Sequence, residues 1–204
     1  YCIYSSVQAD PAESIVLDAV QFAKDEHADV ILGFGGGSSL DVAKIIAVLA
    51  HPQQTQTLQD LYGINQVREP RLALILVPTT AGTGSEVTPI SIVTTGETTK
   101  IGIVSPVLYA DVAILDAHFT QNLPAHITAA TGIDAMVHAI EAYTSKIKKN
   151  PYADMLAKQA LRLLDQNLAA VLKDGSNLDA RQNMLVGSML AGQAFANAPV
   201  AAVH

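Results

Sequence analysis

Asp29-Val30-Ile31-Leu32-Gly33-Phe34-Gly35-Gly36-Gly37-Ser38-Ser39-Leu40-Asp41-Val42-Ala43-Lys44 is the stretch from which the fold can be read. Residues 29–34 are a short apolar run with β-branched side chains, as expected of a strand buried on both faces. Three glycines and two serines come next, and residues 40–50 then resume an apolar pattern of helical period. Strand, glycine loop and helix make half of a βαβ unit. Glycines let a backbone approach an anion closely, and the helix behind them offers N–H groups and the positive end of its dipole. Gly35 and Gly37 have the separation of a dinucleotide-binding turn, but Leu40 stands where its third glycine or alanine belongs. No Gly-Lys-Ser/Thr is present after them, so the loop is not a P-loop. A tight turn needing positive φ is the plain alternative. Three consecutive glycines exceed what such a turn requires, which favours phosphate binding. Asp41, at the helix start, is placed to complement the dipole.

Working outward, residues 11–27 carry apolar side chains at helical spacing. Residues 52–70 are polar and read as irregular, with one helical turn near 58–62. Residues 72–77 (LALILV) predict a second buried strand, which empties into the polar loop PTTAGTGSEVTP at 78–89. In open α/β sheets the carboxyl ends of strands are where ligands bind. An ordinary crossover loop is the alternative, yet two such loops after two consecutive buried strands weigh more than either alone. Residues 90–94 and 100–104 predict a hairpin, and 112–115 a further short strand. The character changes after Pro124: the pattern predicts helices over 124–131, 132–145, 151–173 and 178–197, with 146–150 a basic solvated connector. The expected division is therefore an α/β domain over 1–123 and an all-helical domain over 124–204.

Bulk properties bound the function. Of 204 residues half are apolar and 15% charged, enough for a substantial core. A formal charge of −7 argues against nucleic acid or an anionic membrane as the main partner. Cys2 is the single cysteine, so no intrachain disulfide forms, and a reducing, cytoplasmic setting is expected. No apolar run reaches the length of a membrane span, and the start lacks the layout of a signal peptide. The sequence opens at Tyr1 rather than Met and closes at His204 directly after an apolar run, which gives the expectation that both ends are cut.

Within 131–145 (TGIDAMVHAIEAYTS), Asp134 and His138 stand four apart and share one helix face. A carboxylate and an imidazole so placed can share a divalent cation. The plainer reading is that Asp134 favours the positive helix end, His138 pairs with Glu141, and the face meets water. His204 comes after Pro199-Val200-Ala201-Ala202-Val203; a lone histidine in such surroundings is more often a satisfied core residue than a ligand.

Taken together, GGGSSLDVAK at 35–44, PTTAGTGSEVTP at 78–89, and TGIDAMVHAIEAYTS at 131–145 with the histidine of AVH at 202–204 resemble the iron-containing (group III) alcohol dehydrogenase family. The resemblance implies a dinucleotide-binding, Rossmann-like α/β domain, a helical metal-binding domain and a cleft between them. It implies that Gly36, Gly37 and Ser38 hold the cofactor pyrophosphate, that Asp41 lies near the nicotinamide end, and that Thr79, Thr80, Thr83 and Thr88 line the cofactor. Lys100 matches a lysine that in the family reaches the ribose near the nicotinamide. Asp134, His138 and His204 match three of four metal ligands, the cation being Fe(II) with Zn(II) as an alternative. The implied activity is hydride transfer between a small alcohol or aldehyde and NAD or NADP, by a homodimer. A polyol dehydrogenase or a dehydroquinate-synthase-like enzyme on the same scaffold, or a non-catalytic nucleotide-binding piece, are the rivals. The family's fourth ligand is a histidine beyond the third, and its first strand carries an acidic residue that reads the adenosine ribose. Neither falls within this sequence, so both domains are expected to be incomplete. Many relatives also have glycines where Pro199, Val200 and Ala201 stand.

Overall fold

A computed structural model describes residues 1–96 and 98–198. The chain divides into two compact units, residues 1–77 with 89–114, and residues 78–88 with 115–204. The expected boundary at 123/124 tracked the onset of helix, whereas compactness also assigns the segment 115–123 and the loop 78–88 to the helical unit.

The first unit is built around a helix that is buried nearly all round. Its elements are α1 (Glu13–Asp25), β1 (Val30–Gly35), α2 (Gly37–Leu49), β2 (Gly63–Ile64), β3 (Ala73–Pro78), β4 (Ile90–Thr95), β5 (Thr99–Val104) and β6 (Val112–Ala113). One sheet has the order β1-β3-β6, with β3 and β6 parallel (Ile75 beside Val112). The other has the order β2-β5-β4, with β5 antiparallel to β4 from Ile90–Val104 to Thr95–Thr99. The segment read as irregular thus supplies β2, parallel to β5, after a short helical turn at Gln59–Leu61. Every residue from Val42 to Leu49 is buried, as expected of a helix apolar on all faces. It packs on β1, α1 and β4.

Burial on both faces was the expectation for β1, and the structure corrects it. Ile31 is buried, whereas Val30, Leu32 and Phe34 are about half exposed, so the strand alternates. It lies at the end of its sheet, and α2 covers one face only. The central β3 comes closer to the expectation, with Leu74 and Leu76 fully buried and Val77 nearly so.

Lys44 is the one charged residue among the fully buried side chains of α2. Its Nζ donates to the Ile90 carbonyl at 2.6 Å and lies 3.5 Å from Asp41 Oδ1. Asp41 Oδ2 accepts from the Ile92 amide at 3.0 Å, and the Asp41 carbonyl accepts from Ser91 Oγ at 3.0 Å. A buried polar group is tolerable only when it is bonded, and these bonds join the first two turns of α2 to the start of β4. A second polar knot joins β3 to β6. Arg71 binds Asp111 through both Nη atoms, at 2.7 and 2.9 Å, and also donates to the carbonyls of Leu72, Val107 and Tyr109. The Leu74 amide donates to the same carboxylate.

The second unit holds α3 (Ala125–Thr144), α4 (Pro151–Lys173) and α5 (Leu178–Asn197). The last two match the expected bounds. Asn150 and Asn177 cap them, accepting from the amides of Ala153 and Ala180 at 2.8 and 3.0 Å. The two helices expected over 124–145 are one. Gly132 does not end the first; it makes room, since a Cβ there would come within 2.8 Å of Leu168 and Met184. The loop 78–88 is pressed onto this bundle. Gly84 has φ +60°, and a Cβ on it would meet the Cα of Gly192 at 2.7 Å. A Cβ on Gly192 would in turn meet the Gly84 carbonyl oxygen at 2.8 Å. Two backbones touch there, and only glycine fits either side.

Both the Arg71–Asp111 knot and the glycine contact should register as stability. The hydrogen bonds from Arg71, then the Leu74 amide, hold the Asp111 carboxyl down at about 2. A depressed carboxyl contributes stability that is present above its unfolded value, about 3.9, and lost as pH falls through the folded one. Asp111→Asn should therefore lower Tm at pH 7 by about 2–4 °C and flatten the loss of stability between about pH 4 and 2. An unchanged acid profile would contradict the knot. Gly192→Ala should cost about 1–3 kcal/mol in urea unfolding, and a variant as stable as the unsubstituted chain would contradict the backbone contact.

Candidate cofactor and metal site

The glycine turn between β1 and α2 takes its shape from a serine one turn into the helix. Gly35 has φ +152°, and a Cβ on it would lie 2.6 Å from Ser39 Oγ. Gly36 is the residue before α2 and makes no side-chain cap, and no acidic residue occupies the first turn of the helix. The amides of Gly37, Ser38 and Ser39 thus begin a 13-residue helix without a capping carboxylate or hydroxyl. Gly36, Gly37 and Ser38 are half-buried. That combination can receive an anionic group by backbone N–H alone. Asp41, further along the helix, turns its carboxylate to the Ile92 amide and toward Lys44, serving the junction of α2 and β4.

In the loop 78–88, Thr79, Thr80 and Thr83 are half-buried, and Thr88 is buried. Thr83 Oγ1 accepts from the Ser85 amide at 3.3 Å, and Thr88 Oγ1 donates to the Ser85 carbonyl at 3.3 Å. Both hydroxyls therefore support the short helical turn Ser85–Val87. The loop also rests on α3 at Gly82, where a Cβ would meet Thr131 Cβ at 2.8 Å. Thr131 precedes Asp134 by one turn. Lys100, on β5, is more than half exposed and pairs with Asp10 at 2.6 Å.

On α3 the two candidate ligands face one another. His138 Nε2 lies 3.9 Å from Asp134 Oδ1, with the imidazole side chain 10% exposed and the carboxylate 36%. Two donor atoms each about 2.0–2.2 Å from one cation can be no more than about 4.4 Å apart, so this spacing admits a shared ion. The reading in which this face simply meets water does not hold, because His138, Glu141 and Ser145 are all buried. His204 lies outside the described residues. Among the described residues no group of three His, Cys, Asp or Glu side chains gathers as a metal site.

Several buried groups at these elements had no part in cofactor or metal binding assigned from sequence. Lys44 had a signal, its i+3 spacing from Asp41. Glu86 and Glu141 are buried carboxylates on the threonine loop and on α3. Phe195, on α5, lies against the His138 ring. It reads in sequence as one more apolar residue at helical spacing.

Residues 1–117 match the model of the iron-containing alcohol dehydrogenases, and residues 128–204 match that of the C-terminal part of the Fe-containing alcohol dehydrogenase family. The chain is 46% identical to long-chain-alcohol dehydrogenase 1 of Geobacillus thermodenitrificans, over 99% of this chain and 51% of that protein. It superposes on the crystal structure of a 1,3-propanediol oxidoreductase with TM-score 0.93 and 40% identity, over 100% of this chain and 53% of the other. Sulfoacetaldehyde reductase of Bifidobacterium kashiwanohense, solved with NAD+, gives TM-score 0.91 and 31% identity over 100% of this chain and 54% of the other. The chain spans about half the length of the relatives it matches. The two matched ranges together cover nearly the whole sequence, and the chain belongs to the iron-containing alcohol dehydrogenase family.

Proposed function

We propose that the chain carries the cofactor and metal machinery of an NAD(P)-dependent alcohol dehydrogenase, one that interconverts a small alcohol with its aldehyde or ketone. The observation that carries this is the Asp134–His138 pair, whose donors lie 3.9 Å apart on a largely buried face of α3. The donor set fits: carboxylate with imidazole suits Fe(II), and equally Zn(II). His204 is proposed as a third ligand by its match to the family motif. When bound, the cation supplies Lewis acidity toward an alcohol or carbonyl oxygen, and NAD(P) supplies the hydride acceptor or donor.

The chain's own residues do the holding. Gly36, Gly37 and Ser38 offer the amides of the α2 start to the pyrophosphate. Thr79, Thr80, Thr83 and Thr88 are proposed to line the cofactor. The bonds that Thr83 and Thr88 make to Ser85 fix the backbone of the second half of the loop. Asp41 is assigned near the nicotinamide, where its bonds to Ile92 and toward Lys44 would hold it still. Lys100 is assigned to the nicotinamide ribose, which requires it to exchange Asp10 for the sugar. The NAD+ complex of the sulfoacetaldehyde reductase relative supports a nicotinamide nucleotide. A cytoplasmic setting and a homodimer belong to the same proposal. Among the described residues no helix is long and apolar enough to cross a membrane.

The test is NADH titration of the chain, metal-free and then loaded with Fe(II) or Zn(II), and then alcohol-dependent reduction of NAD+. His138→Ala should lower metal content by about tenfold or more and abolish the metal-dependent hydride transfer. If metal content and turnover are both unchanged in that variant, the reading fails. An NADH response with no metal-dependent transfer would instead mark a nucleotide-binding module.

A further inference from the structure

An imidazole that binds a cation has to present one ring nitrogen in a fixed direction. In metal sites that direction is commonly set by a hydrogen bond to the other ring nitrogen. On α3 an aromatic ring contributes to the same end. Phe195 of α5 lies with its ring centroid 4.8 Å from that of His138, the planes tilted by 34°. Both residues are buried, at 9% and 8% exposure. The helices that carry them pack together, and Ala135, Ala139, Ala191 and Ala194 are all fully buried within them. Small residues there let the two helices come close enough for ring to meet ring.

We infer that Phe195 is a positioning residue for His138: its ring, packed against the imidazole, opposes rotation about Cβ–Cγ and keeps Nε2 directed at Asp134. A half-turn about that bond would exchange Nε2 with Cε1 and withdraw the donor from the 3.9 Å approach to Asp134 Oδ1. The geometry of the pair is then set before a cation arrives, and affinity does not have to offset the ordering of a loose ring. This rests on the reading of Asp134 and His138 as metal ligands, and metal uptake by two kinds of variant separates the two.

Co(II) uptake by the full chain is measured by equilibrium dialysis and by the visible absorption of the bound ion, with melting curves recorded alongside. The unsubstituted chain should take up Co(II), and Asp134→Ala should lose it. Phe195→Leu, apolar but without a ring, should bind about 10–100-fold more weakly and with an altered absorption band, while Phe195→Tyr, which keeps the ring, restores both. No uptake by the unsubstituted chain, or uptake indifferent to Asp134→Ala, overturns the metal reading and this inference with it. Uptake lost in Asp134→Ala but unchanged in affinity and spectrum in Phe195→Leu overturns the role of Phe195 alone. Should the leucine variant unfold, the metal-free unsubstituted chain still decides. Its His138 ring protons should be shifted upfield by the Phe195 ring current, and unshifted resonances refute the inference.

Discussion

Backbone-to-backbone approach in the helical unit is the constraint on which its candidate site depends. A bundle of long side chains would hold α3 and α5 apart. Here alanines are buried along both helices, and glycines stand where the threonine loop touches them. Gly84 meets Gly192, and Gly82 meets Thr131, at separations that exclude a Cβ. Close-packed interiors resist deformation, so a loop seated by its backbone is placed more firmly than one held by side-chain tips. The same packing brings Phe195 onto His138. Position in this unit is therefore set largely by the absence of side-chain atoms.

The α/β unit solves its central problem by a different route. Its middle helix, α2, is buried on all faces, and the glycine turn at its start has to stay at the surface. Close packing resists sliding of such a helix, and directional bonds add a specific register to it. Lys44 and Asp41 supply those bonds, to the Ile90 carbonyl and the Ile92 amide of β4. In this unit polar bonds tie the packed helix to a particular strand.

Much of this was legible in the sequence, and the parts that were not have identifiable causes. The strand, glycine turn and helix at 29–50 declared themselves because a change of period across glycines has few other meanings. The bounds of α4 and α5 came from helical periodicity, and the structure gives the physical reason that they start where they do, Asn150 and Asn177 capping them. The join of two expected helices into α3 was hidden because Gly132 has the same letter whether it ends a helix or admits a neighbour's side chain. The exposed face of β1 was hidden because an apolar run does not say how many of its faces are covered. Of the candidate site, the Asp134–His138 spacing was visible. The burial that removes its water-facing reading depends on packing from distant segments, as does the aromatic contact with Phe195.

The division of the chain into units has a consequence for synthesis. Residues 78–88 belong to the helical unit yet are spelled between two halves of the α/β unit, which itself resumes at 89 and ends at 114. Neither unit is a continuous stretch of polypeptide. In order of synthesis α1, β1, α2 and β3 all precede β4, so the bond from Lys44 to the Ile90 carbonyl, 46 positions later, joins segments made at different times. The contact between Gly84 and Gly192 joins segments further apart still. No single cut within residues 1–204 would therefore separate one unit from the other.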